Sequence, residues 1–359
     1  MLIFLAVLIV VVYFVQAHSQ KRALKDVDYD YKFSKQLVEA DESFELISTI
    51  VNRSRRFIPF IRMEETLPKG VCAIHQSVGL REDVLGHLRY DSTIYMMPRS
   101  KLERRLEIVF SARGCYLFHG GKLHGGDFLG LKEKRESFQE FREVVVYPKG
   151  VNVGQLEQML SGFLGDISVR RFIMEDPILT IGTREYTGSE SLNRISWKHS
   201  ARSGELMVKQ FDYTVETVVT VVLDINTPSG TPVDFQHVEN CFSLARSVCQ
   251  LFKDKHIAFD FVSNGRIQTS KTQKQRLDQN TRNVSLLDIL ERLGRSTYQP
   301  IETFEETIQD VKWRQDKGQG TIVITPQKDE NKETLANTYL ATAGSTVIFM
   351  YGEDVDGFN

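Results

Sequence analysis

Residues 218–223 read Val-Val-Thr-Val-Val-Leu and run straight into Asp224. A β-branched run without polar alternation suits a strand covered on both faces, since a half-exposed strand needs every second residue polar. Two covered faces require helices on both sides of the sheet. The following stretch supplies one: Phe235, Val238, Phe242, Ala245, Cys249 and Phe252 recur at three- and four-residue steps, one face of an amphipathic helix. Strand patterns at 257–262, 321–324 and 346–351 then alternate with helical patterns at 286–293, where Gly294 reads as a stop, and at 335–341. This alternation predicts a mostly parallel sheet over residues 215–352. Its ligand edge would lie at the carboxyl ends of the strands, around 224–230.

Residues 26–150 follow another pattern. Short β-rich runs at 44–51, 95–97, 107–110 and 144–147 are separated by turn residues, as at 52–56, and the last run stops at Pro148. Helical periodicity is weak there, so an antiparallel β-sandwich-like module is expected. Residues 151–214 connect the two modules.

The charge balance is −2, so no overall basicity argues for nucleic acid, and no nucleic-acid partner is expected. The four cysteines, Cys72, Cys115, Cys241 and Cys249, contain no CxxC pair. Cys241 and Cys249 fall on one helix, roughly 12 Å apart, beyond the ~7 Å reach of a disulfide. They are expected to be thiols.

Residues 1–15 are unbroken apolar sequence, followed by Lys21, Arg22 and Lys25. A spanning helix needs about 17–25 mostly apolar residues, so residues 1–20 are expected to form a short transmembrane anchor. A cleaved signal peptide is the rival reading, with Val15-Gln16-Ala17 as the cut site. A signal peptide carries its positive charge before the apolar core, whereas here it follows. Basic residues stay on the cytoplasmic side. The expectation is a single-pass protein of the cell membrane with the bulk of the chain in the cytoplasm.

Between the modules, residues 184–211 read REYTGSESLNRISWKHSARSGELMVKQF. This stretch resembles the signature of the domain of unknown function 58 family: Arg-x-Tyr-x-Pro-Gly-Asp, then Leu-Arg-x-Ile-x-Trp, then Ser-Ala-Arg, then Leu-x-Val-Lys. In register with Tyr186 and Trp197, the Pro-Gly-Asp becomes Gly188-Ser189-Glu190, and Asn193 stands where the family has its arginine. Upstream, residues 51–56 with 65–68, and then 113–116, 127–131 and 146–148, resemble further landmarks of the same family. The resemblance implies a membrane-anchored bacterial protein whose α/β module is von Willebrand factor A-like (Rossmann-like). It also implies a MoxR-type AAA+ ATPase as partner. Carried onto this chain, the partner-binding candidates are Arg184, Tyr186, Glu190, Arg194, Trp197, Ser200, Arg202 and Lys209. The competing reading of these charges is an internal ion-pair network with Trp197 buried.

A von Willebrand factor A domain often holds Mg²⁺ or Mn²⁺ through Asp-x-Ser-x-Ser after its first strand, with a distant Thr and Asp. Here the metal candidates are Asp224, Asn226 and Ser229. Pro228 stands at the second serine position, and Thr325-Pro326 stands where the late Asp belongs. Each lost oxygen ligand weakens such a site. Cys115, His119, His124 and Asp127 could form a nucleophile–base set, but glycines surround the histidines and suggest a β-hairpin turn. No GxxxxGK[ST], HExxH or GxSxG occurs. The reading is a non-enzymatic membrane-anchored scaffold. The alternatives are a metal-dependent adhesion-type module and a structural protein of envelope assembly.

Overall fold

The computed structural model describes residues 24–73, 80–82, 88–126, 133–171, 180–211, 219–227, 234–268, 285–314, 319–340 and 346–358. The expected anchor, residues 1–20, lies outside them. Among the described residues no helix is long and apolar enough to cross a membrane. The chain is a mixed α/β protein that divides into two compact units, residues 1–149 with 267–270 and 290–296, and the remainder.

The first unit is built from strands β1 (Val27–Phe33), β2 (Leu37–Glu39), β3 (Ser43–Asn52), β4 (Ile58–Leu67), β5 (Val71–Ala73), β6 (Leu80–Glu82), β7 (Leu88–Met96), β8 (Lys101–Phe110), β9 (Gly114–Phe118), β10 (Gly121–Gly126), β11 (Glu133–Phe138) and β12 (Arg142–Tyr147). They form sheets of order β1-β3-β8-β5, β11-β10-β4-β7-β6 and β2-β12-β9, antiparallel except for β2 with β12. Alternate residues of β3 and β8 face inward. Phe44, Leu46, Leu106, Ile108 and Phe110 meet Leu67, Tyr90, Phe118, Val144 and Val146 in one core drawing on all three sheets. Glu65 of β4 is buried within it, held by Tyr29, Ser48 and Arg104 of the facing sheet. A buried carboxylate requires such partners. His119 and Gly120 stand at a turn that is not a β9–β10 hairpin, whereas His124, Gly125 and Gly126 lie on β10, which pairs antiparallel with the next strand, β11. β9 pairs with β12 and β10 with β4 and β11, so the turn carries the chain between two sheets. Gly120, at φ +81°, makes that turn where a Cβ would meet the Phe138 carbonyl.

The second unit begins with α1 (Val153–Arg171). Strands β13 (Thr180–Glu185) and β14 (Met207–Phe211) then form an antiparallel ribbon carrying the short helix α2 (Trp197–Ser203) between them. The α/β layer follows: β15 (Val219–Leu223), α3 (Phe235–Asp254), β16 (Phe259–Ser263), β17 (Gly265–Ile267), α4 (Leu286–Arg295), β18 (Ser296–Pro300), α5 (Phe304–Arg314), β19 (Gly320–Thr325), α6 (Glu330–Leu340) and β20 (Val347–Tyr351). β16-β15-β19-β20 is a fully parallel sheet, and every residue of β15 is buried. Side chains alternate across a strand. Val222 and Val323 pack on Phe304, Ile308 and Val311 of α5 and Ala336 and Leu340 of α6, while α3 lies against β15 and β19 on the other side. The apolar stripe read from the sequence is the buried stripe of α3 from Val238 to Phe252, while Phe235, its first member, is exposed.

Two sequence expectations differ from the structure. Gly294 does not end its helix, which continues to Arg295. It lets the helix approach β12, since a Cβ there would come within 2.6 Å of Val145 Cγ1 and 2.8 Å of the Val146 carbonyl. Nor does the span 215–352 form one unit, because Leu290–Ser296 belongs with the β strands. Arg295, buried, pairs with Glu143 at 2.5 Å and Glu291 at 2.9 Å, and Arg113 donates to the carbonyls of Leu293 and Ser296. An arginine so enclosed stays where its carboxylates are.

Candidate functional site

The signature residues all fall on the β13–β14 ribbon and the segment between its strands. Ile195 bridges to Val208, and both are buried with Ser196. Ser196 N donates to the Met207 carbonyl at 2.7 Å. The Ser200 hydroxyl donates to the Ser196 carbonyl at 3.0 Å and accepts from Met207 N at 2.8 Å, fastening α2 to β14. Gly204, left-handed at φ 78°, ends α2. At the ribbon's start, Gly188 has φ 95°, so the displaced glycine of this sequence sits where the backbone needs it. Glu190 closes that turn. It accepts from the Thr187 hydroxyl at 2.8 Å and the Thr187 backbone N at 3.1 Å, and it pairs with Arg184 at 2.6 Å. These contacts, the Thr187 hydroxyl first, hold its carboxyl down to about 2.

Arg184, Glu190 and Ser200 therefore build the ribbon. Tyr186 contributes a backbone N–H to the Leu206 carbonyl. Trp197 is not buried: it is 66% exposed, and Leu192 and Leu206 of the same segment are exposed too. Arg194, Lys198, Arg202 and Lys209 are exposed as well, against exposed Glu185 and Glu205. Arg184 and Glu190 do form an ion pair, but at an exposed turn, and Trp197 is not buried as the internal-network reading requires. The outcome is a ribbon on which the indole, two leucines and the basic groups are exposed.

The metal candidates lie at the carboxyl end of β15. Asp224 is fully buried. Its Oδ1 accepts from Asn264 Nδ2 at 2.6 Å and from Asn226 N at 3.1 Å. Its Oδ2 accepts from the ammonium of Lys332 at 2.6 Å. Lys332 Nζ also donates to the Asn226 carbonyl at 2.6 Å and to Thr325 Oγ1 at 3.2 Å. Ser229 lies outside the described residues. Among the described residues no group of three or more His, Cys, Asp or Glu side chains is placed to hold a metal. The oxygens that do converge already surround a lysine, so as arranged they do not fit Mg²⁺ or Mn²⁺.

Sequence reading missed Lys332, Asn264 and the ligating role of Thr325. One signal was present: Lys332, Ala336 and Leu340 are the buried positions of α6, at steps of four, so a lysine stands on an apolar stripe.

The nucleophile–base set is not assembled. Cys115 is on β9 and His124 on β10, in separate sheets, and Asp127 is outside the described residues. The Cys115 thiol donates to Glu143 at 3.4 Å, and burial first, then Glu143, pushes it up to about 11. A thiol so raised is a weak nucleophile at neutral pH.

No protein-family model matches the chain. Over 166 residues the chain is 24% identical to Uncharacterized protein YeaD from Bacillus subtilis (strain 168), covering 44% of this chain and 38% of that protein. The match thus spans well under half the relative's length. Among solved structures, a cohesin module from a Clostridium perfringens ATCC13124 family 33 glycoside hydrolase aligns over 34% of this chain and 98% of its own, with TM-score 0.26 and 12% identity. The CARDB domain of the PF1109 protein from Pyrococcus furiosus aligns over 34% and 92%, with TM-score 0.23 and 15% identity. Likenesses at these TM-scores carry no argument about fold or function.

Proposed function

We propose that the protein is a non-enzymatic, membrane-anchored binding scaffold whose docking element is the β13–β14 ribbon. The observation that carries this reading is the exposed indole of Trp197 on a helix fixed by Ser196 and Ser200. Tryptophan and arginine on a rigid support are the side chains that most often dominate protein interfaces. Arg194, Lys198, Arg202 and Lys209 favour a partner with an apolar pocket rimmed by acidic groups. The resemblance of residues 184–211 to the domain of unknown function 58 signature names that partner as a MoxR-type AAA+ ATPase. The same resemblance, with the parallel sheet and its helices, supports a von Willebrand factor A-like assignment for the α/β layer. Residues 1–15 would hold the chain to the membrane, and Lys21, Arg22 and Lys25 would keep the remainder cytoplasmic.

The test is co-purification of the full chain, solubilised in detergent, with the AAA+ ATPase of the same cell. Retention by the wild type and loss in Trp197→Ala with Arg202→Glu supports the reading. Equal retention by both, or repeated absence of any AAA+ ATPase, sinks it.

A further inference from the structure

We infer that the ammonium of Lys332 is a tethered cation filling a cluster of oxygens at the carboxyl end of β15 that could otherwise gather a divalent ion. This inference is independent of the scaffold reading. Three oxygens of different origin converge beyond the end of β15: the Asp224 carboxylate, the Asn226 carbonyl and the Thr325 hydroxyl. Hard cations gather such a mixture of oxygens from separate parts of a chain. The group at their centre is Lys332 Nζ. An ammonium has three N–H donors and no acceptor, and here each donor has one oxygen.

The lysine is also where local physics disfavours it. It is the third residue of α6, at the positive end of the helix dipole, where cations are destabilised. Asp329 occupies that helix end as its acceptor, taking the Asn331 N–H at 2.9 Å. The Lys332 stem lies on the buried stripe of α6. The Phe304 ring sits 5.3 Å from the ammonium. Buried Asp224, which needs a positive partner, offsets these costs. Its second oxygen is taken by Asn264 and the Asn226 N–H, which leaves no carboxylate oxygen open to an arriving ion. The site is therefore permanently loaded and independent of metal supply. Removing the amine should turn it into a metal site.

The experiment is a Mn²⁺ titration of the full chain in detergent, followed by electron paramagnetic resonance and by thermal unfolding. It is run on the wild type, on Lys332→Ala and on the charge-free pair Asp224→Asn with Lys332→Met. The wild type should show no Mn²⁺ binding beyond that of the charge-free pair and no rise in Tm. Lys332→Ala should melt lower without metal and recover saturably with Mn²⁺, gaining a bound-ion signal. Should it not fold alone, refolding to native circular dichroism in millimolar Mn²⁺ is the expected outcome. Wild-type binding that the charge-free pair lacks overturns the inference. So does a Lys332→Ala protein indifferent to Mn²⁺.

Discussion

The Asp224 network and the β13–β14 ribbon both combine charged side chains with hydroxyls, yet they are opposites. Around Asp224 every strong donor and acceptor is matched inside the molecule. Asp224 is fully buried and Lys332 nearly so. In the ribbon, Arg184, Glu190 and Ser200 bond to neighbouring groups of the ribbon itself, while Trp197, Lys198, Arg202 and Lys209 are exposed. The contrast teaches that the residue types of a motif do not reveal its role. Among the described residues, buried flanks enclose the first set, whereas the outer side chains of the second are exposed.

The sharpest way to break this contrast is Lys332→Met. It leaves Asp224 buried without its counter-charge, and removing one partner of such a pair costs about 3–5 kcal/mol. Chemical denaturation should show a loss of that order. A cost under about 1 kcal/mol would place the pair among solvent-screened surface bridges, and the distinction would collapse.

Trp197→Ala comes next. An exposed side chain should change stability within about 0.5 kcal/mol. Binding to an AAA+ partner should weaken by about 2 kcal/mol, roughly 30-fold in Kd, if the indole is an interface anchor. Calorimetry on the purified pair reads this directly. A stability loss as large as that of Lys332→Met would instead mean that the indole is part of the fold.

Ser200→Ala should act locally. It removes the Met207 N–H bond that ties β14 to α2 and the Ser200 bond to the Ser196 carbonyl at the start of α2, about 1 kcal/mol. Amide exchange at Met207 should quicken while exchange in β15 stays unchanged. Uniform acceleration would merge the two regions into one cooperative unit.

The smallest effect is the pH response of the Glu190 turn. Its folded carboxyl lies at about 2, below the ordinary value near 4.3 for glutamate. The depressed value means that its contribution is complete above the ordinary value. The contribution fades as pH falls and is gone below about 2. Carboxyl carbon shifts of Glu190 should titrate in that low window. Titration near 4.3 would show that Thr187 and Arg184 do not hold the turn in solution.

Much of the α/β layer is readable from the chain because periodicity and burial coincide there. The valine run gives the central strand, and the stripe from Phe235 to Phe252 gives its helix. Helix α5 also has a signal in the sequence. Thr303 and Glu306 form a reciprocal capping box, with Thr303 N donating to Glu306 at 2.8 Å and Glu306 N to Thr303 Oγ1 at 3.3 Å. The buried positions Phe304, Thr307, Ile308 and Val311 then follow helical steps. Helix α1 gives a weaker signal, since Leu156, Leu160 and Phe163 are the buried apolar positions its described side chains offer. The site was harder to read. Asp224 stands out as the end of an apolar strand, but Lys332 lies 108 residues away, and only the fold brings a lysine on an apolar stripe to that carboxylate. The exposure of Trp197 was likewise invisible, because a tryptophan among charges reads equally well as core or contact.

The helix along the central sheet has one more consequence. Cys241 and Cys249 are free and wholly inaccessible, and burial pushes both thiols far above their ordinary range. In the folded protein they are silent toward alkylating reagents, and they become reactive only when α3 leaves the sheet. The rate of their modification is therefore a clock for the opening of this unit. A reagent meant to report which side of a membrane the chain occupies cannot rely on these two thiols, whereas a cysteine at position 313, now a tryptophan 88% exposed, would be open to it without touching the core.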